Sequence, residues 1–212
     1  MSDAWSERAE LYRTSVAHSE GADLDLIVEW AAGARTALDV ATGGGHVARR
    51  LREAGLEVVT CDPAPGMRAD VIAFAEDLPF AGRSFDLTVT RVAAHHFADV
   101  CAAVRELARV ASDRVLVVDN LDLGREVEEA ERIRDPSHVR NYGEAEWRGL
   151  LADAGLAVEE VRVLEHPVEL EPWLERTGCA GEDAARVREL LAAHVEDGHI
   201  LFRRIALRAK KA

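Results

Sequence analysis

The sequence predicts an α/β fold in which helices cover both faces of a mainly parallel sheet. Short apolar runs alternate with segments of helical periodicity, and the second, third and fourth of these runs each end in a polar residue. The first run leads directly into three consecutive glycines, Gly43–Gly45, and then into a helix-like segment. Such alternation is typical of parallel strands that are connected by helices. The chain has 212 residues, which suits one domain. We therefore expect a single domain over residues 1–212, with a helical cap over about residues 1–32.

The predicted elements follow one another in regular order. Strands are predicted at Arg35–Val40, Leu56–Cys61, Ser84–Thr90, Arg114–Asp119, Ala157–Leu164 and His199–Arg208. Helices are predicted at Val47–Ala54, Asp99–Val110, Gly143–Ala154, Glu169–Arg176 and Glu182–Val195. Asp99 has the position and side chain of an N-cap. Trp30, Trp147 and Trp173 lie on amphipathic helices, so we expect them in the core.

Composition excludes several classes of partner. The net charge of −13 argues against nucleic acid, because its binders present clustered Lys and Arg. No apolar run approaches the length of a membrane span, and the first residues lack the pattern of a signal peptide. Cys61, Cys101 and Cys179 are isolated in the sequence, which indicates reduced thiols. We expect a cytoplasmic protein that acts on a small molecule and binds neither nucleic acid nor membrane; its oligomeric state stays open.

Polar residues follow the predicted strands where a ligand is expected. Ligands of open parallel sheets bind at the carboxyl ends of the strands. Glycines in the turn after the first strand let backbone N–H groups approach a ligand, and the following helix start favours anionic groups. Asp62 ends the second strand and can accept both hydroxyls of a ribose. Its alternative role is that of a turn residue before Pro63; we favour the ribose role because the glycine turn stands upstream.

Several motifs in order resemble the class I S-adenosylmethionine-dependent methyltransferases. These motifs are Asp39–Gly45, Asp62–Met67, Ala75–Phe80, Arg91–Phe97, Arg134–Arg140 and the opening Tyr12–Asp23. They are most similar to the branch that includes the ubiquinone and menaquinone C-methyltransferases. The resemblance implies a Rossmann-like sheet, mostly parallel with an antiparallel C-terminal strand, and methyl transfer from S-adenosylmethionine to a small molecule.

The resemblance also assigns residues to the cofactor. They are Tyr12, His18, Asp39, Thr42, Gly43, Gly45, Asp62, Pro63, Ala75, Glu76, Arg91 and Val92. Asp39 is expected to orient the glycine turn, Asp62 to hold the ribose, and Ala75 to offer its backbone N–H to adenine. Arg91 and Val92 are expected on the methionine side. The segment around Tyr12 and His18 is expected to close over the carboxylate and the sulfonium.

Two departures from the family pattern lie at the adenine end. The family usually has an acceptor Asp before the Ala-Glu-x-Leu-Pro-Phe run, whereas this chain has Phe74. The segment from Asp62 to Phe74 is also short for a crossover, which needs about ten to twelve residues or more. We expect a shortened connection, a small or irregular edge strand at Asp70–Phe74, an open adenine pocket and weaker cofactor affinity.

The histidines are candidates for general-base chemistry, because the imidazole pKa lies near neutrality. We single out His95, His96 and His138; the alternative for the His95–His96 pair is a structural imidazole bonded to backbone. Converging histidines can also bind metal, but no ligand-type spacing supports this, and we predict no metal. Three other histidines, His166, His194 and His199, are expected at the surface or in packing. Glu126–Arg132 is expected to form a solvated helix face.

Three functions remain open on this sequence. The first is methyl transfer to a small acceptor. The second is a protein that binds the cofactor without transferring the methyl group, which Phe74 and the short segment support. The third is another enzyme on the same scaffold, such as an isomerase or cyclase that uses the histidines. A nicotinamide-dependent enzyme is disfavoured, because the glycine spacing differs from that of nicotinamide binders.

Overall fold

The computed structural model of the chain describes residues 5–6, 9–10 and 20–211. Tyr12 and His18 lie outside the described residues, so their predicted roles stay predictions. Trp5–Ser6 and Ala9–Glu10 are helical. Within the part of the chain that is described, no helix combines the length and the apolar character needed to cross a membrane.

The strands and helices alternate as the sequence predicts. The strands are β1 (Thr36–Val40), β2 (Glu57–Cys61), β3 (Phe85–Arg91), β4 (Ala111–Asn120), β5 (Leu156–Glu169), β6 (Val195–Glu196) and β7 (His199–Lys211). The helices are α1 (Ala22–Trp30), α2 (His46–Glu53), α3 (Val100–Val110), α4 (Arg125–Arg134), α5 (Glu144–Asp153), α6 (Leu170–Glu175) and α7 (Gly181–Leu190). Short 3-10 turns lie at Pro65–Met67, Ala94–His96 and Ala192–His194. The Asp99 side chain accepts from Ala102 N at 2.9 Å, which confirms the predicted N-cap of α3.

The sheet has the order β2-β1-β3-β4-β7-β5, with β6 paired to β7. Strands β1 to β4 run parallel, and β7 runs antiparallel to both β4 and β5. This topology confirms the predicted α/β fold with its antiparallel C-terminal strand. The carboxyl ends of β1, β2, β3 and β4 therefore lie along one edge of the sheet.

Helices cover both faces of this sheet, as predicted. Successive residues of β4 illustrate the alternation that makes this possible, because Val117 joins the apolar layer that includes Trp147 while Leu116 joins the opposite layer around Trp30. A third apolar cluster includes Trp173 and connects α4, α6 and α7 with the start of β7. All three tryptophans are buried, which confirms their predicted place in the core.

Three predictions for the C-terminal half need correction. The helix predicted at Glu182–Val195 ends at Leu190, because the chain then turns through Ala192–His194 into the strand that begins at Val195. Strand β5 continues to Glu169, five residues beyond the predicted end at Leu164, because its extension pairs with β7 as far as His199. The segment Glu126–Arg132 is not a fully solvated face: Glu131 is buried, together with Val127 and Ala130.

The connection after β2 is short, as predicted. In place of a crossover helix it holds the 3-10 turn Pro65–Met67, and in place of an edge strand a single bridge between Cys61 and Val71. The N-terminal segment packs against this connection: Gly66 N donates to Ser6 Oγ at 3.0 Å, and Ala9 packs beside Met67. A Cβ on Gly66 would lie 2.5 Å from Ser6 Cα, so only glycine permits this approach.

Candidate functional site

Two cavities open along the carboxyl edge of the parallel strands. The first cavity, of about 220 Å³, is lined by the turn after β1, the residues after β2, the Phe74–Glu76 segment and the end of β3. The second cavity, of about 70 Å³, is lined mainly by residues of α4, β5 and β7, by the end of β4 and by the loops after β3 and α4. Val92 and His96 line both cavities.

The glycine turn forms one end of the first cavity. Asp39 Oδ2 accepts from Thr42 Oγ1 at 2.6 Å and from Ala48 N in the first turn of α2 at 3.1 Å. Burial raises the pKa of Asp39 to about 6, although these hydrogen bonds oppose the rise. Gly43 and Gly45 have φ angles of 52° and 76°, a region that favours glycine. Asp39 thus fixes the turn by bonding both of its ends.

Asp62, which follows β2 and lines this cavity, is hydrogen-bonded to the glycine turn that follows β1. Its Oδ2 accepts from Gly43 N at 3.0 Å and its Oδ1 from Ala64 N at 2.9 Å. Burial raises the pKa of Asp62, and the two backbone donors oppose that shift. Each carboxylate oxygen has two lone pairs, so each can still accept a hydrogen from a ligand hydroxyl.

The far end of the first cavity is open. Phe74 lines it although 64% of this residue is exposed. Ala75 is buried there, and its backbone N–H has no hydrogen-bond partner among the described residues. The neighbouring Glu76 accepts from Ala98 N at 2.9 Å and Asp99 N at 3.3 Å. This end therefore offers one backbone donor and an exposed ring.

A buried ion-pair network lies under the end of β3. Arg91 Nε donates to Asp23 Oδ2 at 2.7 Å, and Arg204 Nη1 donates to the same oxygen at 2.9 Å. Burial opposes ionisation of Asp23, but the two guanidinium groups more than offset it and hold its pKa below the usual range. Arg91 lines the first cavity and Arg204 the second, so Asp23 supports a wall of each.

Val92 follows Arg91 at φ 52°, which is unusual for a β-branched residue. Its backbone N donates to Val118 O at 2.7 Å. Strained backbone of this kind clusters at ligand sites, and Val92 lies between the two cavities.

Most of the predicted cofactor residues line the first cavity: Asp39, Thr42, Gly43, Asp62, Pro63, Ala75, Glu76, Arg91 and Val92. Gly45 does not, because it is the N-cap of α2 and its N donates to Thr42 O at 2.9 Å; Gly44 lines the cavity instead. Sequence reasoning missed the lining residues Trp5, His46, Met67, Phe97 and Ser137. Met67, Phe97 and Ser137 lie within the motifs Asp62–Met67, Arg91–Phe97 and Arg134–Arg140, and His46 directly follows the glycine turn. Their place in these motifs was the available signal, whereas Trp5 lies outside every motif.

His96 is the predicted histidine that borders both cavities. Its Nδ1 lies 3.1 Å from Ser137 O; because a carbonyl only accepts, Nδ1 carries the hydrogen and Nε2 is the acceptor of the neutral ring. Burial, and then His95 beside it, lower the pKa of His96 to about 3. The ring also meets Trp5 edge-on, with centroids 4.7 Å apart.

His95 and His138 lie beside His96 but line only the second cavity. His95 Nδ1 lies 2.5 Å from Asp119 Oδ1, and His95 N donates to Asp119 Oδ2 at 2.9 Å. Burial opposes protonation of His95, yet Asp119 prevails and raises the pKa of this imidazole. His138 Nε2 lies 3.3 Å from Glu128 Oε2.

The second cavity is built mainly from ionisable side chains. The expectation that His166 is a surface or packing residue is wrong, because it lines this cavity and accepts from Arg204 Nη2 at 2.8 Å. Burial, and then the charge of Arg204, lower the pKa of His166 to about 4. Arg204 Nε is buried and has no hydrogen-bond partner in the described part of the chain.

The sheet and the first cavity together have the arrangement of the Rossmann-like methyltransferase fold. A family model described as a methyltransferase domain matches residues 38–118. The uncharacterized methyltransferase YcgJ of Bacillus subtilis is 33% identical over 202 residues, which cover 84% of this chain and 80% of that protein. The chain therefore belongs to the class I S-adenosylmethionine-dependent methyltransferases.

Solved structures agree with this assignment. The crystal structure of YcgJ superposes with a TM-score of 0.80 at 28% identity, covering 89% of this chain and 97% of that one. A Bacillus halodurans C-125 protein described as a methyltransferase (BH2331) gives 0.78 at 29% identity, with 90% and 99% covered. A geranyl diphosphate methyltransferase in complex with GPP and sinefungin shares the fold, with a TM-score of 0.64 at 14% identity, covering 90% of this chain and 77% of that one.

Proposed function

We propose that the protein transfers a methyl group from S-adenosylmethionine to a small-molecule acceptor. The first cavity carries this proposal, because the glycine turn, Asp62 and Ala75 line one continuous space. The resemblance assigns these three positions to the amino-acid part, the ribose and the adenine of the cofactor. Family membership supports the same reaction.

The residues of the first cavity fit a cofactor whose parts differ in chemistry. Gly43 has no side chain, so its backbone lines the cavity directly. Asp62 can accept hydrogen bonds from hydroxyl groups of a ligand. Ala75 can donate from its backbone N–H, which has no partner among the described residues. The geranyl diphosphate methyltransferase of the same fold has been solved in complex with sinefungin, an analogue of this cofactor. We infer that Asp62 holds the ribose and that Ala75 meets the adenine ring.

When bound, S-adenosylmethionine supplies a methyl group already activated by the sulfonium charge, so binding, orientation and exclusion of water are the main tasks of the chain. His96 borders both cavities, and its Nε2 has no hydrogen-bond partner among the described residues. We infer that this nitrogen accepts a hydrogen bond from an acceptor that lies in the second cavity and so orients it, because a pKa of about 3 disfavours full transfer of a proton to His96. His95 keeps a positioning role through its bond to Asp119.

The lining of the second cavity favours a polar acceptor. Arg204, His166 and Asn120 bring hydrogen-bonding groups to a space of about 70 Å³, which admits a small group and not a macromolecule. We propose a hydroxyl or an acidic carbon as the methyl acceptor. The motif likeness to the ubiquinone and menaquinone branch supports a phenol or quinone-like ring.

Calorimetry with S-adenosylmethionine, S-adenosylhomocysteine and NAD tests the proposal. We expect both sulfur cofactors to bind with one site per chain and NAD not to bind. Asp62→Ala should weaken S-adenosylmethionine binding at least about tenfold, because at least one hydrogen bond to a charged group, worth about 1.5–3 kcal/mol, is lost. The matched control is Asp77→Ala, which removes an exposed carboxylate from the nearby loop and should leave binding unchanged.

Absence of binding by both sulfur cofactors would overturn the proposal. Where binding is found, a screen for labelled methyl transfer into metabolite pools separates an enzyme from a protein that only binds the cofactor. Conversion of a candidate acceptor without incorporation of label would favour an isomerase or cyclase.

A further inference from the structure

We propose that Glu128, Glu131, His138 and Asn141 bind a divalent first-row transition-metal ion. The first two residues lie on α4, one turn apart, and the other two lie on the loop that follows it. The group lies at the wall of the second cavity, which Glu131 and His138 line. No step in the proposed methyl transfer uses these residues as ligands, so the inference stands independently of that function.

The ligand atoms already lie within coordinating reach of one another. One atom from each of Glu128, Glu131 and His138 falls within a group whose members are all less than 4.8 Å apart. His138 Nε2 is 3.3 Å from Glu128 Oε2 and 3.9 Å from Glu131 Oε2. An ion at the centre of such a triangle needs only small side-chain shifts to reach the distances of about 2.0–2.2 Å that are usual for nitrogen and carboxylate ligands.

Burial makes this arrangement costly without a cation. The side chains of His138, Glu131 and Glu128 are 3%, 6% and 12% exposed. The buried carboxylates of Glu128 and Glu131 repel each other when both are ionised, and burial removes most of their hydration. A guanidinium does approach Glu128, since Arg132 Nη2 lies 3.5 Å from its Oε2, but Arg132 is exposed and donates at the shorter distance of 3.2 Å to Val139 O. A divalent ion would neutralise both carboxylates at once.

Asn141 supplies an independent indication of a ligand. Its backbone N donates to Glu128 Oε1 at 2.9 Å, and its Nδ2 contacts Glu131 Oε2, so its side-chain amide points at the cluster. Its Oδ1 is buried and has no hydrogen-bond partner among the described residues. An amide can turn over about its own axis with little change in shape. In the present orientation Nδ2 faces Glu131 Oε2 and Oδ1 is left without a partner among the described residues. A cation bound between the side chains would let the amide turn over, so that Oδ1 becomes a ligand beside Glu131 Oε2.

The donor set indicates the class of metal. One imidazole nitrogen, two carboxylates and one amide oxygen suit Mn²⁺, Fe²⁺ or Zn²⁺, whereas Mg²⁺ prefers oxygen ligands alone. Because Glu131 and His138 border the second cavity, at least one coordination position is open to a small molecule there. Open positions of this kind are typical of metal sites that bind ligands.

The test uses the full chain, freed of metal by a chelator and titrated with Zn²⁺, Mn²⁺ and Mg²⁺ in a calorimeter. We expect one Zn²⁺ or Mn²⁺ per chain, weaker binding of Mg²⁺, and a rise of the unfolding temperature with the bound ion. Glu131→Gln and His138→Gln should each weaken binding more than about tenfold, because even groups that only orient ligands contribute about 10–100-fold. Glu126→Gln, an exposed change on the same helix, is the matched control and should bind as the wild type does.

Asn141→Asp distinguishes a metal site from a cluster of hydrogen bonds. A further carboxylate should tighten metal binding, and the bound ion should restore the stability that the extra charge removes. Three results would overturn the proposal: no stoichiometric binding of Zn²⁺ or Mn²⁺ to the wild type, equal binding by the folded Glu131→Gln and His138→Gln chains, or a loss of binding in Asn141→Asp. If both glutamine variants fail to fold, the wild-type stoichiometry and the Asn141→Asp titration decide.

Discussion

The two cavities share His96 and Val92 but are built in different ways. The first depends on a local turn: Asp39 bonds Thr42 and Ala48, and Asp62 bonds Gly43 and Ala64 across the adjacent strand. The second depends on ionisable side chains that come from α4, β5, β7 and two loops.

This difference explains which cavity can be found in a sequence. Residues that build a turn lie next to one another in the chain and form a recognisable motif. Residues that meet through tertiary packing, such as His166 and Arg204, are separated by whole elements and leave no pattern. The turn of the first cavity can therefore be found in the sequence. Of the second cavity, the sequence indicates His95, His96 and His138, but the contribution of His166 and Arg204 has to be seen in the structure.

The largest predicted effect comes from the residue that supports both cavities. Asp23→Asn removes the carboxylate between Arg91 and Arg204 and leaves two buried guanidinium groups without it. Breaking a buried pair in this way costs about 3–5 kcal/mol of unfolding free energy. Urea denaturation of the variant and the wild type measures this loss.

The control for this change lies on the same helix. Asp25 pairs with Arg50 at the surface, where Asp25 is 69% exposed, so Asp25→Asn should cost less than about 1 kcal/mol. Equal losses in the two variants would mean that the buried network does not support the walls of the cavities.

The fold was predictable because its signals are local. Apolar runs between Arg35 and Asp119 and the cap at Asp99 predicted β1 to β4 and α3, and the twelve-residue distance from Asp62 to Phe74 predicted the shortened connection. The end of β5 was missed because its last residues depend on pairing with the β6–β7 hairpin. Burial of Glu131 was missed because it depends on Asn141 and His138, which approach α4 only in the folded chain.

The second prediction concerns the pH dependence of the second cavity. The folded-state pKa of His166, about 4, lies below the unfolded value, so folding opposes protonation of this ring. Its contribution to stability is therefore complete above about pH 6.5 and is lost as the pH falls towards 4. The residues around it are Arg204, Asp23, Arg91 and Arg176.

His166→Gln keeps an acceptor for Arg204 but removes the titration. When the pH falls from about 7.5 to about 5, the unfolding free energy of the wild type should decrease by about 1–2 kcal/mol more than that of the variant. The lower value applies if solvent partly screens the charges around His166. Asp39 titrates in the opposite sense in both chains, so it cancels in this difference. His199→Gln, in the exposed hairpin, should keep the wild-type profile; identical profiles for wild type and His166→Gln would contradict the prediction.

The smallest effect is expected at the open end of the first cavity. The family usually has an acidic acceptor where this chain has Phe74, and we expect wild-type affinity for S-adenosylmethionine to be weaker than low micromolar. On the proposed binding mode, Phe74→Asp adds an acceptor for the adenine amino group and should tighten binding by up to about tenfold, the value of one charge-assisted hydrogen bond at a solvated site.

Ile72→Asp is the matched control, because Ile72 and Phe74 are both 64% exposed while Phe74 alone of the two lines the cavity. Calorimetric titration of the three chains compares them directly. If Phe74→Asp and Ile72→Asp bound S-adenosylmethionine with equal affinity, the adenine would have to lie elsewhere. A carboxylate at position 74 would then affect binding no more than a carboxylate at position 72, which does not line the cavity.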